Sequence, residues 1–270
     1  MADLLWWQYT LIAVIFIWSG FVRSGLGFGG AVLALPFLLL VENDPLLFLP
    51  IISIHLLVFS SWIAWQGSKT TKQQATLAAK QGEVAKAKEE EGNIAWGYLK
   101  KALGIMIVPK LIGVFGLLTL PGDIVTGVIF VIVSVFAVSY IINKPFYTNN
   151  RILDTVFLML GGYVSGTSLI GAPLIVSVFA TKVPRHQLRD TLFVLWFILV
   201  TIKMVSFLIA GVDLQLIHQL WLLPCALIGH VFGQKLHNRI QKAETPVFFQ
   251  FVGWALLTVC GFGLYSTFML

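Results

Sequence analysis

The sequence predicts an all-α integral membrane protein whose eight apolar blocks form two inverted repeats, with blocks 1 and 5 as broken or re-entrant helical hairpins. Three observations predict this fold class. Hydrophobic residues make up 58% of the 270 residues, and charged residues only 11%. A glycine-rich segment occurs twice within apolar sequence, and nearly all basic residues lie between apolar blocks. The composition indicates a bilayer environment, the repeat divides the chain into halves, and the charges orient it.

The apolar blocks account for most of the chain. A soluble domain carries about 25% charged residues, and about 20 consecutive apolar residues span a bilayer. We therefore expect a single transmembrane domain over residues 1–270, with a mean hydropathy of +0.89. The eight blocks are 4–41, 46–65, 98–120, 124–142, 152–181, 191–210, 214–236 and 245–270. The first and fifth are too long for one ordinary crossing, whereas the others suit single helices.

Both long blocks contain the glycine segment, at residues 20–31 and 161–172. The matching positions are Gly20/Gly161, Ser24/Ser165, Gly25/Gly166, Gly30/Gly171 and Ala31/Ala172. Glycine permits irregular backbone and close chain approach, and irregular backbone at membrane depth must be buried or line a cavity. Two copies of a broken helix indicate a binding site where the copies meet. The alternative is that these glycines serve close helix packing alone.

The distribution of charge predicts the topology. Of the 18 Lys and Arg residues, all except Arg23, Lys110 and Lys203 lie outside the blocks or at their ends. If every block crossed once, the basic connections would fall on both sides, against the positive-inside tendency. If blocks 1 and 5 enter and return, all basic connections fall on one side. The acidic connections then fall on the other, at Glu42, Asp44, Asp123 and Asp213.

This parity divides the chain into repeat 1, residues 1–143, and repeat 2, residues 144–270, in opposite orientations. Both termini are expected outside, and a polar insertion at 66–97 is expected in the cytoplasm. The middle of this insertion, residues 70–91, is rich in Ala, Lys, Gln and Glu, which are good helix formers. We expect a solvated helix there, with a partner-binding role as the alternative.

The hairpin tips are predicted to bind an anion. Amide groups that open a returning helix carry partial positive charge, and nearby serine and threonine hydroxyls add donors. Arg23, next to the first tip, either pairs with the anion through two hydrogen bonds or makes structural contacts. Lys203 is likewise either a substrate contact or a structural residue, and for Lys110 we expect a structural role. His55 is either a packed helix histidine or a proton-coupling or substrate-contacting residue.

The candidate substrate-binding residues are Arg23, Ser24, Gly25, Gly27, Gly29, Gly30, His55, Ser165, Gly166, Thr167, Ser168, Gly171 and Lys203. No metal ligand, catalytic residue or cofactor is predicted, because the histidines lack metal-ligand spacing and no nucleophile has a matched base in the sequence. An intramembrane hydrolase using Ser165 is the enzymatic alternative. The net charge of +6 is explained by the positive-inside rule and not by nucleic-acid binding.

The two glycine motifs resemble the sulfite exporter TauE/SafE family, also called the toluene sulfonate uptake permease family. The resemblance rests on residues 24–31, which read Ser-Gly-Leu-Gly-Phe-Gly-Gly-Ala and are followed by Pro36. It also rests on residues 165–173, which read Ser-Gly-Thr-Ser-Leu-Ile-Gly-Ala-Pro. The loop 183–191 is similar to the family's short loop after its second motif. Size and twofold repetition fit over nearly the whole chain.

The resemblance implies a secondary transporter of a small anion, sulfite or an organosulfonate, that works by alternating access in a bacterial cytoplasmic (inner) membrane. A carrier of a non-sulfur organic anion and a membrane scaffold or accessory subunit are the alternatives. The expected partners are the small anionic substrate and the lipid bilayer. No nucleic acid is expected, and a homo-oligomer is compatible with the sequence. By matching motif positions, the resemblance implies that the family's binding residues correspond to Ser24, Gly25, Gly27, Gly29, Gly30, Ser165, Gly166 and Gly171.

Overall fold

The computed structural model describes residues 4–26, 30–80, 94–143, 150–240 and 246–269; within them, the side chains of 24–26, 63–80, 234–240 and 246–249 are not described. These residues form helices and no strands. The helices are α1 (Trp6–Leu26), α2 (Gly30–Val41), α3 (Pro45–Lys80), α4 (Trp96–Thr119), α5 (Gly122–Ile141), α6 (Arg151–Ser168), α7 (Ala172–Lys182), α8 (Arg185–Ile209), α9 (Leu216–Ile240) and α10 (Pro246–Met269). The all-α expectation is therefore confirmed for the part of the chain described.

Six segments of the described helices are long and apolar enough to cross a membrane. They are Pro45–Trp62, Trp96–Thr119, Gly122–Ile141, Arg185–Ile209, Leu216–Gly233 and Gln250–Met269. Two shorter apolar helices, α2 and α7, each follow a helix that ends inside a glycine segment. Both long apolar blocks are thus divided into two helices, and each division falls within the repeated segment.

Helices α1 and α2 lie antiparallel. Near the start of α1, the Gln8 side-chain amide donates to the carbonyl of Val41, the last residue of α2, at 2.9 Å. Near the other end of the pair, the Ser19 hydroxyl donates to the Gly30 carbonyl at 3.1 Å. Because the start of one helix meets the end of the other, the chain turns back at the break.

Helices α6 and α7 are antiparallel in the same way. Asp154 in the first turn of α6 forms an ion pair of 2.8 Å with Lys182, the last residue of α7. Further along, a Cβ added to Gly161 would lie 2.6 Å from Ile175, and one added to Gly171 would lie 3.1 Å from Ser165. Glycine at 161 and 171 therefore lets the two helices approach closely at the turn.

One end of the bundle holds the starts of α1, α5 and α9. The Asn43 side chain, in the α2–α3 connection, donates to the Asp123 carboxylate at 2.8 Å. The ring of Tyr9 lies 6.2 Å from that of His218. The charged residues in the connections at this end are Glu42, Asp44, Asp123 and Asp213, so we call it the acidic end.

The opposite end holds the starts of α4, α8 and α10. The Gln250 side chain donates to the Ile141 carbonyl at 3.2 Å, and the Ala95 amide donates to the Thr191 hydroxyl at 3.0 Å. The basic residues at this end whose side chains are described include Lys100, Lys101, Arg151, Lys182, Arg185 and Arg189. We call it the basic end.

The main helix pairs are α1 with α9, α4 with α6, and α5 with α10. Helix α1 starts at the acidic end, and α6 starts at the basic end, so these two helices run in opposite directions. Glycines permit the closest contacts, because a Cβ on Gly229 of α9 would overlap the Ile17 carbonyl of α1. A Cβ on Gly166 of α6 would similarly overlap the Lys110 carbonyl of α4.

The helices on both sides extend into the polar insertion. Helix α3 continues from its apolar part to Lys80, so the first residues of the polar insertion belong to the same helix as the preceding apolar block. Residues 66–80 are rich in Ala, Lys and Gln, which continue a helix at little cost once it has begun. At the other side, α4 begins at Trp96, so the last two residues of the predicted insertion belong to a membrane-length helix. Residues 81–93 lie outside the described part.

Candidate functional site

A cavity of ≈ 70 Å³ lies between the two helix breaks. Its walls come from α1, α2 and α3 of the first half and from α6, α7, α8 and the 169–171 turn of the second. Ser60 lies about 22 Å along α3 from the acidic end, and Phe193 lies about 12 Å along α8 from the basic end, at 1.5 Å per residue. The cavity is therefore near the middle of the bundle. Its polar side chains are Arg23, Ser60 and Ser165.

Arg23 brings a positive charge to this cavity. One terminal nitrogen donates to the His55 carbonyl at a long 3.5 Å, and the guanidinium carbon lies 4.9 Å from the centre of the Phe59 ring. Its Nε is buried and has no hydrogen-bond partner. Arg23 has no carboxylate partner among the described side chains. A guanidinium carries five N–H donors, so most of them remain for a ligand.

Ser165 contributes a hydroxyl on the opposite wall of the cavity. Its Oγ accepts a hydrogen bond from the Lys110 ammonium at 3.2 Å, and its backbone carbonyl accepts from the same group at 3.4 Å. The hydroxyl proton has no acceptor among the described residues. Ser165 therefore has a donor for a ligand, with its oxygen already held by a cation.

Thr167 and Ser168 do not line the cavity, although both are buried at the end of α6. Their hydroxyls donate to the Val164 carbonyl, at 3.1 Å and 3.0 Å respectively. Hydroxyls bonded back to the preceding turn satisfy that helix and offer no proton to a ligand.

The predicted glycines fall into three groups. Gly30 lines the cavity, and a Cβ there would lie 3.1 Å from Arg23 Nε, so this glycine leaves space for the guanidinium. Gly166 and Gly171 pack directly against backbone of α4 and α6. Gly25, like Ser24, lies in the last turn of α1, where side chains are not described. Positions 27 and 29 lie outside the described residues.

His55 touches the site through its backbone. Its ring is fully buried, with Nδ1 2.8 Å from the Ile51 carbonyl and the ring centre 4.8 Å from that of Phe16. Nε2 has no hydrogen-bond partner, although the backbone of Leu222 in α9 is nearby. The ring does not line the cavity, whereas the His55 carbonyl accepts the bond from Arg23.

Two lysines meet the end of α6 behind Ser165. Lys203 of α8 is fully buried and donates to the Thr167 carbonyl at 3.1 Å. Lys110 of α4 is also fully buried and bonds Ser165. Lys110, for which a structural role was expected, thus contacts a residue that lines the cavity. Its sequence signal was the same as that of Lys203, an isolated cation within an apolar block.

Leu169, at the turn between α6 and α7, has a left-handed backbone with φ 63° and ψ 10°. This conformation costs a non-glycine residue about 1–2 kcal/mol. The side chain is 9% exposed and lines the cavity. The backbone is therefore strained at Leu169, the residue of the turn whose apolar side chain lines the cavity.

Leu169→Gly should be more stable than Leu169→Ala by about 1 kcal/mol, although both should be less stable than the wild type. Both variants lose leucine packing worth about 2–4 kcal/mol, but only glycine relieves the left-handed strain. The free energy of unfolding in detergent, measured by denaturant titration, tests this order. Alanine is normally the better of the two in helices by about 1 kcal/mol, so finding that usual order would show that residue 169 is not left-handed.

A wider depression, of ≈ 590 Å³, lies at the acidic end and is lined by residues 212–218. These residues form the end of the α8–α9 connection and the first turn of α9, and they contain Asp213 but no Lys or Arg. Neither helix break reaches this depression. Its charge does not suit an anion, and the central cavity remains the candidate site. The described residues contain no group of three or more His, Cys, Asp or Glu arranged to hold a metal ion.

Comparison with known proteins gives one match. A model of the family described as "Sulfite exporter TauE/SafE" matches residues 11–264. Neither a search of curated proteins nor a search of solved structures found a match. The matched range includes both helix breaks and every side chain that lines the central cavity.

Proposed function

The chain belongs to the sulfite exporter TauE/SafE family, and on that premise we propose that it is a permease for a small anion, sulfite or an organosulfonate. The family assignment confirms the resemblance found in the two glycine motifs. Together with the six apolar helices, it makes the chain a multi-pass protein of a transporter family. The substrate and the transport mechanism are our proposal.

Arg23 carries the proposal. Its guanidinium faces a cavity in the middle of the bundle and has no carboxylate partner among the described side chains, and its Nε lacks a hydrogen bond. An uncompensated cation at membrane depth is costly, by about 3 kcal/mol or more. An oxyanion offers the missing charge and two oxygen acceptors in the planar geometry of the guanidinium. The Ser165 hydroxyl on the opposite wall supplies a further donor.

The cavity favours a small substrate in this conformation. Its ≈ 70 Å³ is several times the roughly 10–15 Å³ of free space that one buried water molecule requires. An oxyanion of a few heavy atoms is of this order of size. A bulky organosulfonate would need the walls formed by Phe59, Phe193 and Trp196 to separate, which alternating access would provide.

We further propose that residues 1–143 and 144–270 are inverted repeats that alternate around this cavity. Two observations support this proposal. Helices α1 and α6 run in opposite directions, and each packs on a helix of the other half: α1 on α9, and α6 on α4. In this proposal the two antiparallel pairs are re-entrant hairpins in a bacterial cytoplasmic membrane. The basic end and residues 66–97 face the cytoplasm, and both termini face outside, as the positive-inside rule favours.

Transport by the purified chain in proteoliposomes tests the function. We expect counterflow of radiolabelled sulfite at a rate well above the passive leak measured in protein-free vesicles. An organosulfonate such as isethionate should compete with sulfite for transport more strongly than acetate or chloride does. Flux of carboxylates alone would favour the non-sulfur carrier. Absence of flux with every anion, in protein that is folded, would favour the scaffold alternative.

One contact favours a second candidate, an intramembrane hydrolase. The Lys110 ammonium lies 3.2 Å from Ser165 Oγ, which is within reach for a lysine base and a serine nucleophile. The same ammonium also donates to the Ser165 carbonyl, so the lysine is held as a hydrogen-bond donor and not freed as a base. Covalent labelling of Ser165 by a fluorophosphonate would support the hydrolase, and its absence in transport-competent protein would dismiss it.

A further inference from the structure

The end of α6 is contacted by two buried lysines. Lys110 and Lys203 are both fully buried. They come from different helices, α4 and α8, and they bond the carbonyls of Ser165 and Thr167, two residues apart on α6. Two ammonium groups are therefore gathered at one helix end.

The charge at this point is not balanced by protein groups. The carboxyl end of a helix contributes about half a negative charge, against two ammonium groups. The ion pair formed by the described residues is Asp154–Lys182, which lies at the basic end, at the far end of the α6–α7 pair. Neither lysine has a carboxylate partner among the described side chains. Buried charges without a counter-charge are unfavourable, so an anion bound between these lysines would supply the missing negative charge.

Donors are also left over. An ammonium group has three N–H donors. Lys203 uses one on the Thr167 carbonyl, at 3.1 Å. Lys110 makes two long contacts, of 3.2 and 3.4 Å, both to Ser165. Each lysine thus keeps a donor that an oxyanion can accept.

Ser165 connects the two cationic positions. Its oxygen accepts from Lys110, and its side chain also lines the cavity that holds Arg23. We propose that Lys110 and Lys203 form a second binding position for the transported oxyanion, linked through Ser165 to the cavity that holds Arg23. The inference rests on the proposed function and adds a step to it, in which the anion passes from one cationic position to the next.

The test must separate charge from helix capping, because both lysines also satisfy carbonyls. Lys110→Gln and Lys203→Gln remove the charge but keep an N–H donor for the carbonyl. Lys101→Gln is the matched control, since Lys101 lies on α4 and is exposed at the basic end. Sulfite binding is measured on the purified full chain in detergent, from the rise in melting temperature with sulfite concentration.

We expect each Gln variant to raise the half-saturating sulfite concentration about tenfold or more, the loss of one charge-assisted hydrogen bond. Lys101→Gln should stay within about threefold of the wild type, because it removes no charge from the pair. Gln variants that bind sulfite as the Lys101→Gln control does would overturn the inference, because capping alone would then explain the lysines.

A second measurement does not depend on the lysine variants folding. Arg23→Gln should still bind sulfite, about 10 to 100 times more weakly, because the lysine position remains. Complete loss of binding in this variant would mean that Arg23 holds the anion alone, and would overturn the second position. If the wild type itself neither binds nor transports sulfite, the proposed function fails. Binding by the wild type with unaffected lysine variants defeats the second position alone.

Discussion

Replacing Arg23 with Gln should lower sulfite transport about 100-fold at concentrations below half-saturation. The substitution removes the charge and the planar pair of donors from the cavity, and hydrogen bonds to a charged group are worth about 1.5–3 kcal/mol each. Losing this interaction corresponds to about two powers of ten in binding. Initial rates of sulfite counterflow in proteoliposomes, normalised to reconstituted protein, give the measurement.

Arg151→Gln is the matched control for this experiment. Arg151 is exposed at the start of α6, at the basic end, so its loss should change transport less than about twofold, as for other surface charges. Without sulfite, the Arg23→Gln protein should melt no lower than the wild type, because Arg23 makes one long hydrogen bond, one contact with the Phe59 ring and no ion pair in the described structure, and its unpaired charge is itself costly. Equal transport by the two variants would remove Arg23 from the site and with it the main support for the function.

Gly229→Ala should prevent stable folding, or destabilise the protein by about 3 kcal/mol or more. A Cβ at this position would overlap the Ile17 carbonyl and crowd the Phe21 amide. These are backbone atoms of α1 and cannot rotate away, so the two helices must separate. Overpacking normally costs about 1–3 kcal/mol, and a clash with backbone lies at the upper end or beyond. The yield of monodisperse protein and the unfolding midpoint in detergent report the effect.

Gly104→Ala provides the matched comparison. Gly104 is also within a membrane-length helix, α4, but a Cβ there meets no atom within 4 Å. Alanine at this position should leave the protein unchanged or stabilise it by about 0.5–1 kcal/mol, from helix propensity. If both alanine variants behaved alike, the α1–α9 contact would not be as close as the structure has it.

Several features could be predicted from residues alone, because they depend on local chemistry. The two breaks fall inside the segments 20–31 and 161–172, where glycine is dense enough to interrupt an apolar helix. The acidic and basic connections gather at opposite ends of the bundle. The family was recognised from its motifs, and the match over residues 11–264 confirms it. Inverted repeats, re-entrant hairpins and the substrate remain predictions.

The roles of individual site residues were harder to predict, because they depend on what lies across the helix interface. Gly166 and Gly30 have the same sequence signal, yet one packs on α4 and the other makes room for Arg23. Thr167 and Ser165 are two residues apart, yet the Thr167 hydroxyl is used within α6 and the Ser165 side chain faces the cavity. Lys110 was assigned a structural role, and its contact with Ser165 follows from the close packing of α4 on α6.

The sequence by itself determined that this protein lies in a membrane, where its helices break and how its charges are distributed between the two ends. The first follows from composition, the second from glycine density, and the third from the position of each charge relative to the apolar blocks. Only the tertiary structure decided which polar groups share a space. Arg23 and Ser165 are far apart in the chain, and they line one cavity because two antiparallel helix pairs meet in the middle of the bundle. Whether a cation near a helix break is satisfied or left for a ligand depends on partners from other helices, and no local pattern specifies those partners.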